Sequence, residues 1–164
     1  MRNIKIFSFL AIVQDVSQPW WRYIPLTFLI AYVPSLILSI LFNYILSTDT
    51  TVEFGELTSS LVVSLTIVAP LVETLLMWPL IYLIQRFLNR NSIIVAAISA
   101  LIWAAFHALQ TPVWGLTVFW SFFIFSLCFV SWRKVSLTKA LLFTFLIHVI
   151  QNVVSVSYLL LRGA

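Results

Sequence analysis

Three ionisable side chains lie within long apolar stretches of this sequence: Glu73, His107 and His148. An ionisable group inside a hydrocarbon layer costs about 2.5–3.5 kcal/mol or more, so it normally faces the interior of a helix bundle and has a polar partner. Asn152 follows His148 by four residues and therefore projects from the same face of a helix. A carboxyl, two imidazoles and an amide can bind a metal ion, relay protons or join helices by hydrogen bonds.

The elements that carry these groups are expected to be membrane-spanning helices. Of the 164 residues, 62% are hydrophobic and 9% are charged, which excludes a water-soluble globular domain. The apolar runs are continuous and about 20 residues or longer, whereas barrel strands would alternate and be about half as long. An all-α, polytopic membrane helix bundle follows. Five transmembrane helices are expected, near residues 23–46, 60–84, 91–109, 113–132 and 140–161.

The basic residues predict the orientation of this bundle, because cytoplasmic loops carry the excess of lysine and arginine. Those on one predicted side are Arg2, Lys5, Arg22, Arg86, Arg90, Arg133, Lys134 and Lys139. The other side has Arg162, together with the acidic residues Asp49, Glu53 and Glu56. We therefore expect a cytoplasmic N-terminus and an external C-terminus. The net charge of +4 belongs to the membrane ends and gives no support for nucleic-acid binding.

The chain is expected to form a single integral-membrane domain over residues 1–164. No internal repeat or linker divides it, which argues against the paired halves of many secondary transporters. Residues 1–22 are interpreted as an interfacial segment, with Trp20 and Trp21 as anchors at the lipid headgroups. Cys128 is the sole cysteine, so disulfides within the chain and cysteine metal clusters are excluded.

The polar groups are expected at similar depths in the membrane. At 1.5 Å per residue, Glu73 lies about 20 Å, His107 about 25 Å and His148 about 14 Å from the basic residue that flanks each span on the cytoplasmic side. These depths are compatible with one intramembrane site fed by three helices. Pro70 and Pro79 flank the glutamate. Since each proline removes a backbone donor, the second span is expected to be kinked or locally open there.

Three segments together resemble the motifs of a known family. They are residues 69–78 (APLVETLLMW), 103–107 (WAAFH) and 148–152 (HVIQN). Their order, spacing and placement on separate spans resemble the CPBP family, the CAAX-processing and bacteriocin-processing intramembrane proteases, also called Abi or glutamic-type proteases. The resemblance covers residues 60–158, the family's catalytic core. Trp103 stands where the family usually has phenylalanine.

The resemblance implies a metal-independent endopeptidase without a cofactor. Glu73 would be the general base that activates a water molecule, and His107 would hold or polarise that water. His148 and Asn152 would donate hydrogen bonds to the oxyanion formed when the peptide carbonyl is attacked. Substrates of the family are membrane-associated or lipidated peptides and proteins, cleaved near their C-termini. Size and family indicate the bacterial plasma membrane.

The first motif departs from the family pattern Glu-Glu-x-x-x-Arg. Thr74 replaces the second glutamate, Trp78 replaces the arginine, and Pro79 replaces the following glycine. Gln110, Gln151 or one of the two histidines is a candidate donor in place of the missing arginine. The departures make a second hypothesis: a catalytically silent relative that binds a membrane peptide, for example in bacteriocin immunity.

Two further alternatives use the same side chains. Glu73, His107 and His148 could form a three-ligand zinc site with an open position, although no H-E-x-x-H motif is present. The same three groups could instead relay protons or ions. The absence of an internal repeat and of a continuous polar stripe argues against such a relay. A transmembrane peptide, a lipidated tail and a bacteriocin precursor all remain open as substrates, and the oligomeric state is open.

Overall fold

A computed structural model describes residues 8–46, 56–88 and 91–162 of the chain. All regular structure in these ranges is helical, so the all-α prediction is confirmed for them. The helices are α1 (Ser8–Gln14), α2 (Trp20–Leu46), α3 (Ser59–Val63), a π-helical turn (Ser64–Val68), α4 (Ala69–Phe87), α5 (Ser92–Ala108), α6 (Pro112–Arg133) and α7 (Leu137–Arg162). The predictions that involve Arg2, Lys5, Asp49, Glu53 and Arg90 fall outside the described residues.

Four stretches of helix in the described ranges are long and apolar enough to cross a membrane, as expected for a helical membrane protein. They are Trp20–Ile45, Ser59–Phe87, Pro112–Arg133 and Leu137–Leu161. The third predicted span forms α5, which has 17 residues. At 1.5 Å per residue it extends about 26 Å, slightly less than the hydrocarbon thickness of about 30 Å.

Helix α6 is the centre of the bundle. It contacts α1, α2, α4, α5 and α7, and every residue from 121 to 132 is buried. The other three candidate spans expose large apolar side chains on their outer faces, such as Ile40, Leu76 and Leu142. This distribution is the one expected when lipid, rather than water, surrounds all helices except the central one.

A close contact between α5 and α6 sets the position of His107. Thr111 caps α6 by accepting a hydrogen bond from the backbone N–H of the third helical residue, which turns the chain back sharply. A Cβ atom added to Gly115 would lie 2.6 Å from both the Ala104 carbonyl oxygen and the Ala108 Cβ. Only glycine therefore allows this approach of the two backbones.

The N-terminal helix α1 packs against the rest of the bundle. Leu10 and Val13 are buried, and the Tyr23 hydroxyl donates a hydrogen bond of 2.8 Å to the Val13 carbonyl. Trp20 and Trp21 are exposed, with 64% and 63% of their surface accessible. The segment predicted to lie at the interface thus contains a helix with one buried face, followed by two outward-facing indoles.

Five basic residues of the described ranges lie at one end of the bundle. This end holds the start of α2, the end of α4, the start of α5, the end of α6 and the start of α7. Its basic side chains are Arg22, Arg86, Arg133, Lys134 and Lys139. Contacts between helices tie it together: Arg133 donates to Gln85 at 3.1 Å and Lys134 donates to Ser92 at 3.1 Å. Glu56 lies at the opposite end, before α3.

The α5–α6 contact yields the first test. Gly115→Ala should destabilise the protein by about 1–3 kcal/mol, because the added methyl overlaps the backbone of α5. The midpoint of thermal unfolding in detergent should fall by about 2–4 °C per kcal/mol. Leu116→Ala is the matched control, since Leu116 is exposed and such changes usually stay within about 0.5 kcal/mol. Equal midpoints for the two variants would contradict the close packing.

Candidate functional site

The structure brings the three ionisable groups together in the interior of the bundle. Oε1 of Glu73 lies 3.9 Å from Nε2 of His107, and Oε2 lies 3.4 Å from Nε2 of His148. They line one cavity of about 100 Å³, which has room for about three water molecules at about 30 Å³ each. The remaining lining residues are Leu65, Ala69, Trp114, Val118, Ser121, Phe122, Phe125, Gln151 and Asn152.

His107 presents a lone pair to this cavity. Its Nδ1 lies 2.8 Å from the backbone carbonyl oxygen of Trp103. Because a carbonyl only accepts hydrogen bonds, Nδ1 must carry the hydrogen, and Nε2 of the neutral ring is then an acceptor. Trp114 meets the imidazole edge-on, with ring centroids 4.7 Å apart. The ring is therefore fixed with its acceptor nitrogen facing the Glu73 carboxyl.

This arrangement fits a water molecule between the two groups. A carboxylate oxygen and the Nε2 lone pair are both acceptors, and 3.9 Å separates Oε1 of Glu73 from Nε2 of His107. Two acceptors at this distance gain nothing from each other directly, whereas one water can donate an O–H to each. The geometry thus supplies a place where a water is held by His107 beside a carboxylate.

His148 is the most enclosed member of the site. It is 3% exposed and packs against Phe125, with ring centroids 4.6 Å apart, and against Phe122 at 5.5 Å. Its Nδ1 has no hydrogen-bond partner in the described part of the protein. The polar contact of the ring is therefore made by Nε2, which faces Oε2 of Glu73.

The helix that carries Glu73 has a defect in its hydrogen bonding. In the π-helical turn, the N–H of Ala69 bonds to the carbonyl of Ser64, five residues back. The Leu65 carbonyl has therefore lost its usual donor, and the next candidate, five residues ahead, is Pro70, which has no N–H. Pro70, one of the two prolines expected to kink this span, thus leaves the Leu65 carbonyl without a donor in its own helix.

Asn152 supplies the missing donor from α7. Its Nδ2 donates a hydrogen bond of 2.8 Å to the Leu65 carbonyl oxygen. A backbone group within the hydrocarbon region must be satisfied by the protein, because water is scarce there. The amide therefore fixes the helix of Glu73 to α7 by the contact it makes one turn after His148. The resemblance had given Asn152 a different task, as an oxyanion donor.

A second set of polar contacts, which joins α7, α6 and α2, lies next to this hydrogen bond. Gln151 donates from Nε2 to the Ser121 hydroxyl at 2.7 Å. Ser121 in turn shares a hydrogen bond of 2.7 Å with Ser35 and lies 3.3 Å from the carbonyl oxygen of Ala31. The position of Gln151 beside Asn152 was a signal for its role, whereas serines in apolar helices carry none. Gln110, by contrast, is exposed in the turn after α5.

Two residues of the first motif, Thr74 and Trp78, do not line the cavity. Thr74 is buried, and its hydroxyl has no hydrogen-bond partner among the described residues. Trp78 is 41% exposed and lines a groove on the outer face of α4. Among the residues that line the cavity there is no lysine or arginine.

The comparisons with known proteins add no relative. No family model, no curated protein and no solved structure matches this chain. The resemblance thus rests on the motif residues 69–78, 103–107 and 148–152.

The described residues include no group of three or more His, Cys, Asp or Glu side chains arranged to hold a metal ion. The zinc alternative, with Glu73, His107 and His148 as ligands, gains no support from this geometry. The two imidazole nitrogens approach different carboxyl oxygens, at 3.9 and 3.4 Å.

A double-mutant cycle tests the link between the two helices. Asn152→Ala should cost about 1–3 kcal/mol of stability, since it leaves the Leu65 carbonyl without a donor. In a Pro70→Ala background the new N–H can bond to that carbonyl within the helix, so the same substitution should cost about 1 kcal/mol less. Unfolding in mixed micelles measures each step, with the exposed neighbour Val153→Ala as control. An equal cost in both backgrounds would show that the carbonyl does not depend on Asn152.

Proposed function

We propose that the protein is an intramembrane endopeptidase of the CPBP, glutamic type, which cleaves a membrane-associated or lipidated peptide near its C-terminus. The observation that carries the proposal is the Glu73 carboxyl between two imidazoles, in a cavity with room for a few water molecules inside an apolar bundle. Residues from three separate helices meet there, in the arrangement that the three motifs of the resemblance imply. An ionisable side chain inside the hydrocarbon layer costs free energy, so the presence of Glu73 there favours a functional role.

In the proposed reaction Glu73 acts as the general base. A water held between its Oε1 and Nε2 of His107 attacks the carbonyl carbon of the peptide bond. The water's proton passes to the Glu73 carboxylate as the new C–O bond forms. When the tetrahedral intermediate collapses, the C–N bond breaks and the same proton passes to the leaving nitrogen. His107, fixed by the Trp103 carbonyl, keeps the water oriented throughout.

His148 is assigned to the oxyanion. Nε2 carries its hydrogen and faces Oε2 of Glu73 in the unliganded site. Once the carboxylate has taken the water's proton and is a weaker acceptor, this N–H donates instead to the carbonyl oxygen, where negative charge has developed. The aromatic rings of Phe122 and Phe125 exclude water from its other side, which strengthens the interaction. The Asn152 Nδ2 has two hydrogens. One holds the Leu65 carbonyl, and the second is assigned to the same oxyanion.

We also propose five transmembrane helices, with α5 as the shortest, a cytoplasmic N-terminus and an external C-terminus. The collection of Arg86, Arg133, Lys134 and Lys139 at one end of the bundle supports this orientation. Residues 1–22 then lie at the cytoplasmic interface, and residues 60–158 form the catalytic core of a single domain. A bacterial plasma membrane is the proposed location.

Substitution of the base is the direct test. Glu73→Gln should lower cleavage by about 10²-fold or more, because general-base catalysis is lost. New C-termini are measured by mass spectrometry after the purified protein is incubated, in liposomes, with the membrane proteins of a strain that lacks it. Glu56→Gln, an exposed carboxyl at the end of the bundle, should cleave normally. Cleavage that survives Glu73→Gln would overturn the proposal, and cleavage that a zinc chelator stops would favour the metal alternative.

A silent relative is the second candidate, and the first motif favours it. Thr74 and Trp78 leave the site without the second carboxylate and the cation of the family pattern, and no other cation lines the cavity. Such a protein would bind a membrane peptide, as in bacteriocin immunity, without cutting it. Cells that carry the Glu73→Gln variant should then show the same phenotype, such as resistance to a bacteriocin, as cells that carry the wild type. Loss of the phenotype in that variant, with folding retained, would contradict this candidate.

A further inference from the structure

A second concave surface lies on the outer face of α4, away from the cavity. It is a groove of about 530 Å³ lined by Leu75, Trp78, Pro79 and Tyr82. The side chains that line it are largely apolar, and Leu75, Trp78 and Tyr82 are 41–51% exposed. These residues belong to a stretch long and apolar enough to cross a membrane, so the groove opens toward lipid.

One end of the groove carries fixed positive charge. The Arg133 guanidinium lies over the Tyr82 ring, 5.9 Å from its centroid, and donates to the Gln85 side-chain oxygen at 3.1 Å. Arg86 follows Tyr82 by one helical turn and is exposed. Arg133 thus places a guanidinium, held by two contacts, beside the groove at the basic end of the bundle. The Arg86 guanidinium lies over the Phe87 ring, 5.8 Å from its centroid, one turn further along α4.

No described carboxylate neutralises this end of the groove. Glu73 lies in the cavity with the histidines, and Glu56 precedes α3 at the other end of the bundle. Asp15 lies in the link between α1 and α2, where it accepts hydrogen bonds from Ser17, and among the described residues it forms no ion pair with Arg86 or Arg133. Lys134, which donates to Ser92, adds a further cation. An anion from outside the described protein is thus the natural complement.

We propose that the groove binds an anionic phospholipid, with an acyl chain along Leu75, Trp78 and Tyr82 and the phosphate on Arg133 and Arg86. From Tyr82, near the charged end, the groove runs about 10 Å along α4 to Leu75, toward the middle of the membrane. A phospholipid in its leaflet has the same arrangement, with the charged headgroup outside and the acyl chain inside. Arginine presents a planar fork of donors that binds phosphate in a bidentate way. Basic surfaces at the cytoplasmic side of membrane helices attract anionic headgroups.

The charge distribution selects this occupant over others. A zwitterionic lipid would bring its own cation beside the arginines, and a transmembrane peptide would fill the apolar part without supplying an anion. The site is independent of the proposed protease activity, because Leu75 and Trp78 face outward from α4 while Glu73 faces the cavity.

Lipid binding to the full-length protein in a neutral detergent tests the proposal. Phosphatidylglycerol and phosphatidylcholine are titrated separately, and the thermal midpoint and the lipid retained in native mass spectrometry are recorded. Two variants alter the two parts of the site: Arg133→Gln removes the headgroup contact, and Trp78→Ala removes part of the chain contact. Lys139→Gln is the matched control, since this lysine is at the same end but lies over Trp132, away from the groove.

Phosphatidylglycerol should raise the midpoint of the wild type at about tenfold lower concentration than phosphatidylcholine does. Arg133→Gln and Trp78→Ala should each weaken phosphatidylglycerol binding by about tenfold, while Lys139→Gln keeps wild-type binding. Equal loss in the control would show a diffuse attraction of the basic end and overturn a defined site. Equal binding of the two lipids, unchanged binding in both variants, or displacement of the lipid by an uncharged transmembrane peptide would overturn it as well.

Discussion

The hydrogen bond from the Asn152 amide to the Leu65 carbonyl is the contact on which the candidate site depends. A helix in lipid has to satisfy its backbone internally, and the helix before Glu73 cannot do so, because the π-helical turn and Pro70 remove both donors. The missing bond is made by another helix, so the defect becomes a specific joint. That joint fixes the depth and rotation of α4 relative to α7, which carries His148.

The central helix α6 provides the rigid reference for this joint. Ser121 on α6 connects to Gln151 on α7 and to Ser35 on α2 by short hydrogen bonds, while Gly115 brings α5 within backbone contact. Helices in a bilayer gain little from hydrophobic association, so close small-residue contacts and polar bonds have to specify their packing. The hydrogen bond to Ser121 positions α7, which carries His148, and the close contact at Gly115 positions α5, which carries His107.

Much of the architecture was predictable from residue patterns. Continuous apolar runs indicated helices, and the spacing from the basic residues placed Glu73, His107 and His148 at similar depths, where the structure brings them together. The bounds of α5 were predicted to within about one residue at each end, because the polar turn at Gln110 and Pro112 marks where the apolar run is interrupted. Pro70 indicated a kink, but it did not indicate the π-helical turn that frees the Leu65 carbonyl or the α7 amide that bonds to it. The serine contacts of α6 were also hidden, since hydroxyls can bond within their own helix.

The order of the helices along the chain has a consequence for biogenesis. Glu73 and His107 are synthesised on α4 and α5, whereas His148 and Asn152 are on α7, the last helix among the described residues. Until α7 has inserted, the carboxyl lacks one imidazole and the Leu65 carbonyl lacks its donor. A nascent chain in the translocon is therefore without an assembled site until α7 has inserted and packed against α4 and α6.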